Sequence, residues 1–395
     1  MCLAFRMSQS NKKDIPVGVL FSHFGPYQKL GYEGYCGAMA AIKAVNDRDL
    51  PFNLVPRIAD PSGNPDRYAP LSEELISRQG VKHIIGCTTS WSRKEVIPVV
   101  EKRDTLLWYP CVYEGFEASD RVVYAAACAN QHLVPLIDFI VPRFGNRAIL
   151  LGSNYIWGWE TNRLAREMLN AAGGEVLGER AIAIGDTDID HLIREIESKK
   201  PDFILNNLIG ESSYTFLRAY AELGRRNSDF RTDVRPVLSC NLYESELEHV
   251  GDAAEGNYSV SCYFRTLPGE TNRAFLEAVR NNGFDGSLSA IFAQAYSSVL
   301  MIAAGIERAG TDDVEKVLSA VQTHATSTPL GDVLVEPRTN HIALPAHIGR
   351  ARRDCSFEIV HEAEVAIEPD PFMARTHLQT SANPGQQPGF LRLVK

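Results

Sequence analysis

Four kinds of pattern are missing from this 395-residue chain, and each absence removes a class of function. No two of the eight cysteines stand in C-x-x-C spacing, so a structural zinc site has no support. No Lys/Arg cluster exceeds a pair or so, and the net charge is -9. Direct nucleic-acid binding, which needs clustered cations against phosphate, is therefore not expected. No apolar run approaches the roughly 18 residues of a membrane span, so no membrane contact is expected either. Finally, there is no G-x-S-x-G, H-E-x-x-H, G-x-G-x-x-G or Walker loop, and the ten histidines pair with no acid at a telling spacing. The chain reads as a non-enzyme, with no cofactor and no metal.

The first residues also lack the apolar core of a secretory signal. The cysteines are scattered, mostly inside apolar runs where a free thiol behaves as a small hydrophobe. Both features point to a reducing, cytoplasmic setting. The native start could be Met1 or Met7. Residues 1–14 and 380–395, the latter opening on TSANPGQQPG, are expected to be flexible tails.

What is present is enough apolar material for two cores, with 45% hydrophobic and 23% charged residues. Apolar runs at 15–21, 53–58, 83–87, 105–109 and 122–124 alternate with helix-patterned segments. The alternation restarts after residue 132, with strand-like runs at 148–152, 175–183, 203–206, 236–239 and 257–263. Repeated strand–helix alternation predicts βαβ units and mostly parallel sheets, hence two successive α/β halves. The last third predicts helices at 274–280, 290–306 and 314–324. Short strands at 333–335, 347–351 and 357–360 then complete the earlier sheets.

The stretch 81–117, VKHIIGCTTSWSRKEVIPVVEKRDTLLWYPCVYEGFE, holds one strand–helix–strand unit. Ligands of parallel sheets bind beyond the carboxyl ends of the strands. Here the first strand ends in Thr88, Thr89 and Ser90, and the second in Tyr109, Pro110, Cys111, Val112 and Tyr113. Hydroxyls and aromatic rings without charge describe a pocket for a small, neutral, polar molecule. Ser90 stands where a helix begins. It either caps that helix, with Ser92 and Glu95 offering a capping box, or holds a ligand carbonyl there. The segment 154–159 carries Tyr155, Trp157 and Trp159 at a spacing read as non-helical, which predicts a ligand-contacting loop or lid. Cys111 is expected to line the wall rather than act as a nucleophile, since nothing nearby in sequence would activate it. His341 and His347 are expected at the surface. Glu211 and Glu244 follow strand-like runs, and either would admit a cationic ligand if it pointed into the cleft.

The motifs VGVLFS, DPSGNPDRY, GCTTSWSRKEVIPVVE, YPCVYEGFE, GSNYIWGWE, AEGNYSVSCYF and EPDPF carry a resemblance over about 15–372. The chain resembles the amide-sensing regulators of bacterial aliphatic amidase operons, within the periplasmic-binding-protein-like type I group. The resemblance implies a two-lobed α/β fold, each lobe a mostly parallel sheet flanked by helices. The lobes would comprise 15–127 plus 264–330 and 128–263 plus 331–372. It implies a small aliphatic amide held by Ser90, Tyr109 and Tyr155. It also marks departures: Thr88 replaces a tyrosine of the family, Cys111 a threonine, Val112 a proline and Trp157 a tyrosine. The implied partner is an RNA-binding antiterminator of amidase expression. The alternative is an exported receptor of an ABC transporter for short-chain amides, urea or branched-chain amino acids. Oligomeric state, a homo-oligomer included, is left open.

Overall fold

The computed structural model describes residues 12–376, so most of the expected tails, 1–11 and 380–395, lie outside the described residues. Lys13 and Asp14, expected in the first tail, open a strand instead. The first lobe begins with β1 (Lys13–Leu20), α1 (Gln28–Asn46), β2 (Phe52–Ala59), α2 (Tyr68–Gln79) and β3 (His83–Gly86). It continues with α3 (Ser90–Arg103), β4 (Leu106–Tyr109) and β5 (Val122–Tyr124). Its sheet has the order β2-β1-β3-β4-β5 and is parallel throughout. β3 and β4 are buried along their whole length, as central parallel strands covered on both faces must be.

The second lobe follows with α4 (Ala129–Phe144), β6 (Arg147–Ser153), α5 (Ile156–Ala171), β7 (Glu175–Ile182) and α6 (Asp190–Lys199). Next come β8 (Phe203–Asn207), α7 (Glu211–Arg226), β9 (Val237–Ser239), α8 (Glu244–Val250) and β10 (Tyr258–Ser261). The chain then returns to the first lobe with α9 (Glu270–Asn281), α10 (Ala290–Ala309) and α11 (Val314–Thr323). α10 is long and apolar enough to cross a membrane by composition, but most of it is buried against α1, α11 and the first sheet.

β11 (Thr326–Thr328) and β12 (Gly331–Val333) form a separate two-stranded ribbon, so the expected strand at 333–335 joins neither main sheet. β13 (His347–Ala351) does join the second sheet, antiparallel to β10, and β14 (Phe357–His361) pairs antiparallel with β13, in the order β14-β13-β10-β9-β8-β6-β7. The chain thus passes three times between the sheets. The third passage, through 335–346, is anchored by a bridge between Tyr124 and His341. His341 and His347 are both buried rather than at the surface, His341 because this passage runs through packed interior and His347 because it opens β13, which has a strand on either side.

Candidate functional site

In parallel register, β3 and β4 end side by side, so the segments 87–90 and 110–117 share one edge of the first sheet. The turn after β3 is tight, with Cys87 at φ 67°. Thr89, not Ser90, caps α3: its Oγ1 accepts from Ser92 N at 3.1 Å, while Thr89 N donates to Ser92 Oγ at 3.0 Å. The capping box expected at Ser92 and Glu95 is shifted by three residues. Ser90 is thereby freed from capping and becomes the first residue of the helix. Its hydroxyl donates to Glu114 Oε2, a contact that joins the two segments.

The expectation of an uncharged edge meets a correction here. Arg93, one turn into α3, is fully buried. Its Nη2 reaches Glu114 Oε1 at 3.2 Å and its Nε reaches Glu117 Oε1 at 2.6 Å. Lys94 Nζ holds the other oxygen of Glu117 at 2.7 Å. Two carboxylates and two cations close on one another, so the network carries no net charge. Burial works against the Glu117 carboxylate, yet Arg93 and Lys94 hold its pKa down to about 2. Burial likewise opposes the charge on Arg93, and Glu114, with its neighbours, outweighs it. The guanidinium also lies over the rings of Tyr109 and Tyr113, 4.7 and 4.5 Å from their centroids.

Tyr109 and Cys111 fill the floor between the strands. Tyr109 Oη donates to Thr88 O at 3.3 Å, and Cys111 Sγ donates to Cys87 O at 3.5 Å. Burial pushes the thiols of Cys87 and Cys111 well up, so neither is a thiolate nucleophile. Val112 is half-buried at the side.

The opposite wall comes from the second lobe. Tyr155 is the N-cap of α5, and Trp157 lies in its first turn. The segment 154–159 is therefore mostly helix, not an open loop. Gly158 makes this possible, because a Cβ there would stand 2.1 Å from Ser153 O. Burial raises the Tyr155 phenol, and it also feels Glu114, Tyr27, Arg93 and Cys111. Those four neighbours all belong to the first lobe, so Tyr155 spans the cleft. Trp157 packs on His132, 5.6 Å between ring centroids, and His132 Nε2 meets Tyr113 O at 3.0 Å. Trp159 points outward and binds Asn154 Oδ1 at 3.0 Å, so it is not part of the wall.

Several buried polar atoms around this floor make no hydrogen bond: Thr88 Oγ1, Tyr27 Oη, Trp157 Nε1, His132 Nδ1 and Tyr243 Oη. Tyr27 borders Thr89, and Tyr243 borders Cys111. Thr88, Ser90, Tyr109, Cys111, Tyr155 and Trp157 are thus brought together, with Val112 at the margin. Sequence reasoning missed Arg93, Glu114, Tyr27 and Tyr243. Of the two acids flagged for the cleft, Glu211 is exposed and pairs with Arg218. Glu244 is buried, with Oε1 accepting from Arg265 N at 2.8 Å. Among the described residues no group of His, Cys, Asp and Glu is placed to hold a metal ion.

Two α/β lobes, three passages between them and a polar seam where Tyr155 meets the first lobe have the build of a two-lobed ligand-binding protein. The chain belongs to the family described as the periplasmic binding protein domain, whose model matches residues 15–378. It is 23% identical over 335 residues to "Leu/Ile/Val-binding protein homolog 6" of Brucella abortus, covering 83% of this chain and 85% of that one. It is 24% identical over 322 residues to a Pseudomonas aeruginosa protein that binds leucine, isoleucine, valine, threonine and alanine, covering 78% and 82%. A solved solute-binding protein of an R. palustris ABC transporter, in complex with 4-hydroxybenzoate, superposes with a TM-score of 0.79 at 22% identity, over 91% of this chain and 98% of the other.

Proposed function

We propose that this protein is a receptor for a small, net-neutral polar molecule of the amide class, bound in the cleft between Thr88, Ser90, Tyr109, Cys111 and Val112 on one side and Tyr155 and Trp157 on the other. The observation that carries the proposal is the combination of unpaired buried polar atoms with charges that already cancel. Each unpaired polar atom costs roughly 1–3 kcal/mol, which a ligand's own donors and acceptors would recover. A zwitterionic or anionic ligand would need an uncommitted counter-charge, and Arg93 and Glu114 are committed to each other.

Two outputs follow from such a receptor. The names of the relatives favour delivery of a solute to an ABC transporter, and the solutes they print are branched-chain amino acids and benzoates rather than amides or urea. The resemblance of GCTTSWSRKEVIPVVE and YPCVYEGFE to the amide-sensing regulators favours a cytoplasmic sensor that silences an RNA-binding antiterminator until the ligand binds. In either case ligand acts only through its differential affinity for the open and closed lobes.

A thermal-shift screen with acetamide, propionamide, urea, isoleucine and 4-hydroxybenzoate tests the ligand class, since a ligand of the native state raises Tm. Stabilisation by isoleucine or the benzoate alone overturns it. Fractionation of native cells separates the outputs, an exported pool supporting transport and a cytoplasmic one the sensor.

A further inference from the structure

The hydrogen-bonding polarity of Ser90 is set by its surroundings. A serine hydroxyl has one hydrogen to donate and two lone pairs. Its hydrogen goes to Glu114 Oε2. Arg93 Nη1, a donor only, approaches the same Oγ at 3.4 Å. Glu114 cannot turn away, because its other oxygen is held by Arg93 Nη2 at 3.2 Å in a pair shut off from solvent. What Ser90 has left to offer is a lone pair.

We propose that Glu114 is the specificity-determining residue of the cleft: by taking the Ser90 hydrogen it makes Ser90 an obligate acceptor, so the site takes a neutral N–H donor such as a primary amide or urea and rejects the isosteric carboxylate. This rests on the amide-class reading above and reverses the expectation that Ser90 holds a ligand carbonyl. A carboxylate fails on two counts. It would set an oxygen against the Ser90 lone pair, and it would bring a second negative charge beside Glu114. Sites built around one hydrogen-bond polarity discriminate strongly against isosteres of the other. Arg93 acts through Glu114, as a positioning residue.

Propionamide and propionate, nearly identical in shape, are the probes, with calorimetric affinities as the readout. The wild type is expected to bind propionamide at least 100-fold more tightly than propionate. In Glu114→Gln, Arg93 can donate only to the side-chain oxygen of the glutamine, which leaves the glutamine NH2 facing Ser90. Ser90 then accepts from the protein and turns its hydrogen outward. The amide should weaken at least tenfold and the ratio should narrow below tenfold.

Ser90→Ala, which keeps the Arg93–Glu114 pair, should weaken the amide at least tenfold while propionate binds no more weakly than before; a matched loss of both would mean that Ser90 donates and would overturn the inference. This variant therefore tests the acceptor role even if Glu114→Gln does not fold. Equal binding of amide and carboxylate by the wild type, or an unchanged ratio in folded Glu114→Gln, overturns the inference while leaving the amide-class reading intact. Failure of every amide and of urea to bind the wild type overturns that reading, and the inference with it.

Discussion

The imidazole of His341 lies flat on the ring of Tyr124, 4.2 Å between centroids and 5° between planes. Tyr113 extends the stack at 5.1 Å from Tyr124, and its hydroxyl meets His341 Nε2. His341 Nδ1 faces Thr339 O at 2.7 Å, so it carries the hydrogen and Nε2 accepts from Tyr113. Burial lowers the His341 pKa to about 4, which keeps the ring in this neutral form. Three aromatic rings thus fasten the last passage between the lobes to the segment that bears Glu114 and Glu117. His341→Ala should cost about 1–3 kcal/mol in denaturant unfolding, through the lost stack and the lost contact with the Tyr113 hydroxyl, which keeps Glu117 O at 3.1 Å. His341→Phe keeps the stack and should recover part of that loss. Equal stability of wild type and His341→Ala would show that the stack fastens nothing.

Thr88 separates stability from binding. Its Oγ1 is buried without a partner, so replacing it by a methyl removes a desolvation cost and no hydrogen bond. Thr88→Val should leave Tm unchanged or raise it, while lowering ligand affinity about tenfold. A matched loss of Tm and affinity would place Thr88 in the core alone.

Closure has a backbone contact of its own. Gly210, at φ 62° before α7, approaches Pro26 O of the first lobe so closely that a Cβ would stand 1.9 Å from that oxygen. Gly210→Ala should hold the lobes apart. The expected results are a larger radius of gyration by small-angle scattering with ligand present, and at least a tenfold loss of affinity. Unaltered compaction on ligand addition would remove this contact from the closing surface.

Two buried acids should make the protein lose stability in mild alkali. Burial raises both Glu244 and Glu246 to about 8; Arg265 N and Tyr214 Oη, respectively, bind their oxygens, and nearby Glu33 raises Glu244 further. Acids whose folded pKa exceeds the unfolded value bind more protons folded than unfolded. Their stabilising effect is full below about pH 4.5 and is lost as pH rises to 8. Buried His83, His132 and His341, lowered to about 4, act oppositely, with stability lost as pH falls from about 6.5 to 4. Above pH 6.5 the acids decide, at about 1–2 kcal/mol each up to pH 8. Tm should therefore fall between pH 6.5 and 8.5, and the fall should flatten in Glu244→Gln/Glu246→Gln. An equal slope in the double variant would refute the assignment.

The alternation of strands and helices was legible because buried parallel strands are short apolar runs, and β3, β4 and β8 stand out as such. The rule that ligand sites sit at strand ends singles out Ser90, Tyr109 and Tyr155 as candidates. Arg93 and Glu114 were not, for a physical reason. α3 has almost no apolar stripe, so its SRKE segment reads as a solvated face, yet it buries Ser90, Ser92 and Arg93 beside Val96 and Val100. The balancing carboxylates lie 21 and 24 residues away, a distance no helical or strand period signals. The helical start of α5 was misread because Gly158 looks like a breaker, whereas its missing side chain admits the helix to the strand.

The return of α10 to the first lobe governs how the protein can be made. α10 packs on α1 and the first sheet, and most of its side chains are buried there. A nascent chain that has released β1 through β5 holds a sheet whose α1 face is uncovered over β3 and β4 until residue 309 has left the ribosome. Synthesis at roughly 5–20 residues per second leaves that apolar face bare for on the order of ten seconds or more. The first lobe therefore cannot mature in the order of its sequence, and truncation anywhere before α10 yields a chain inclined to aggregate rather than an isolated first half.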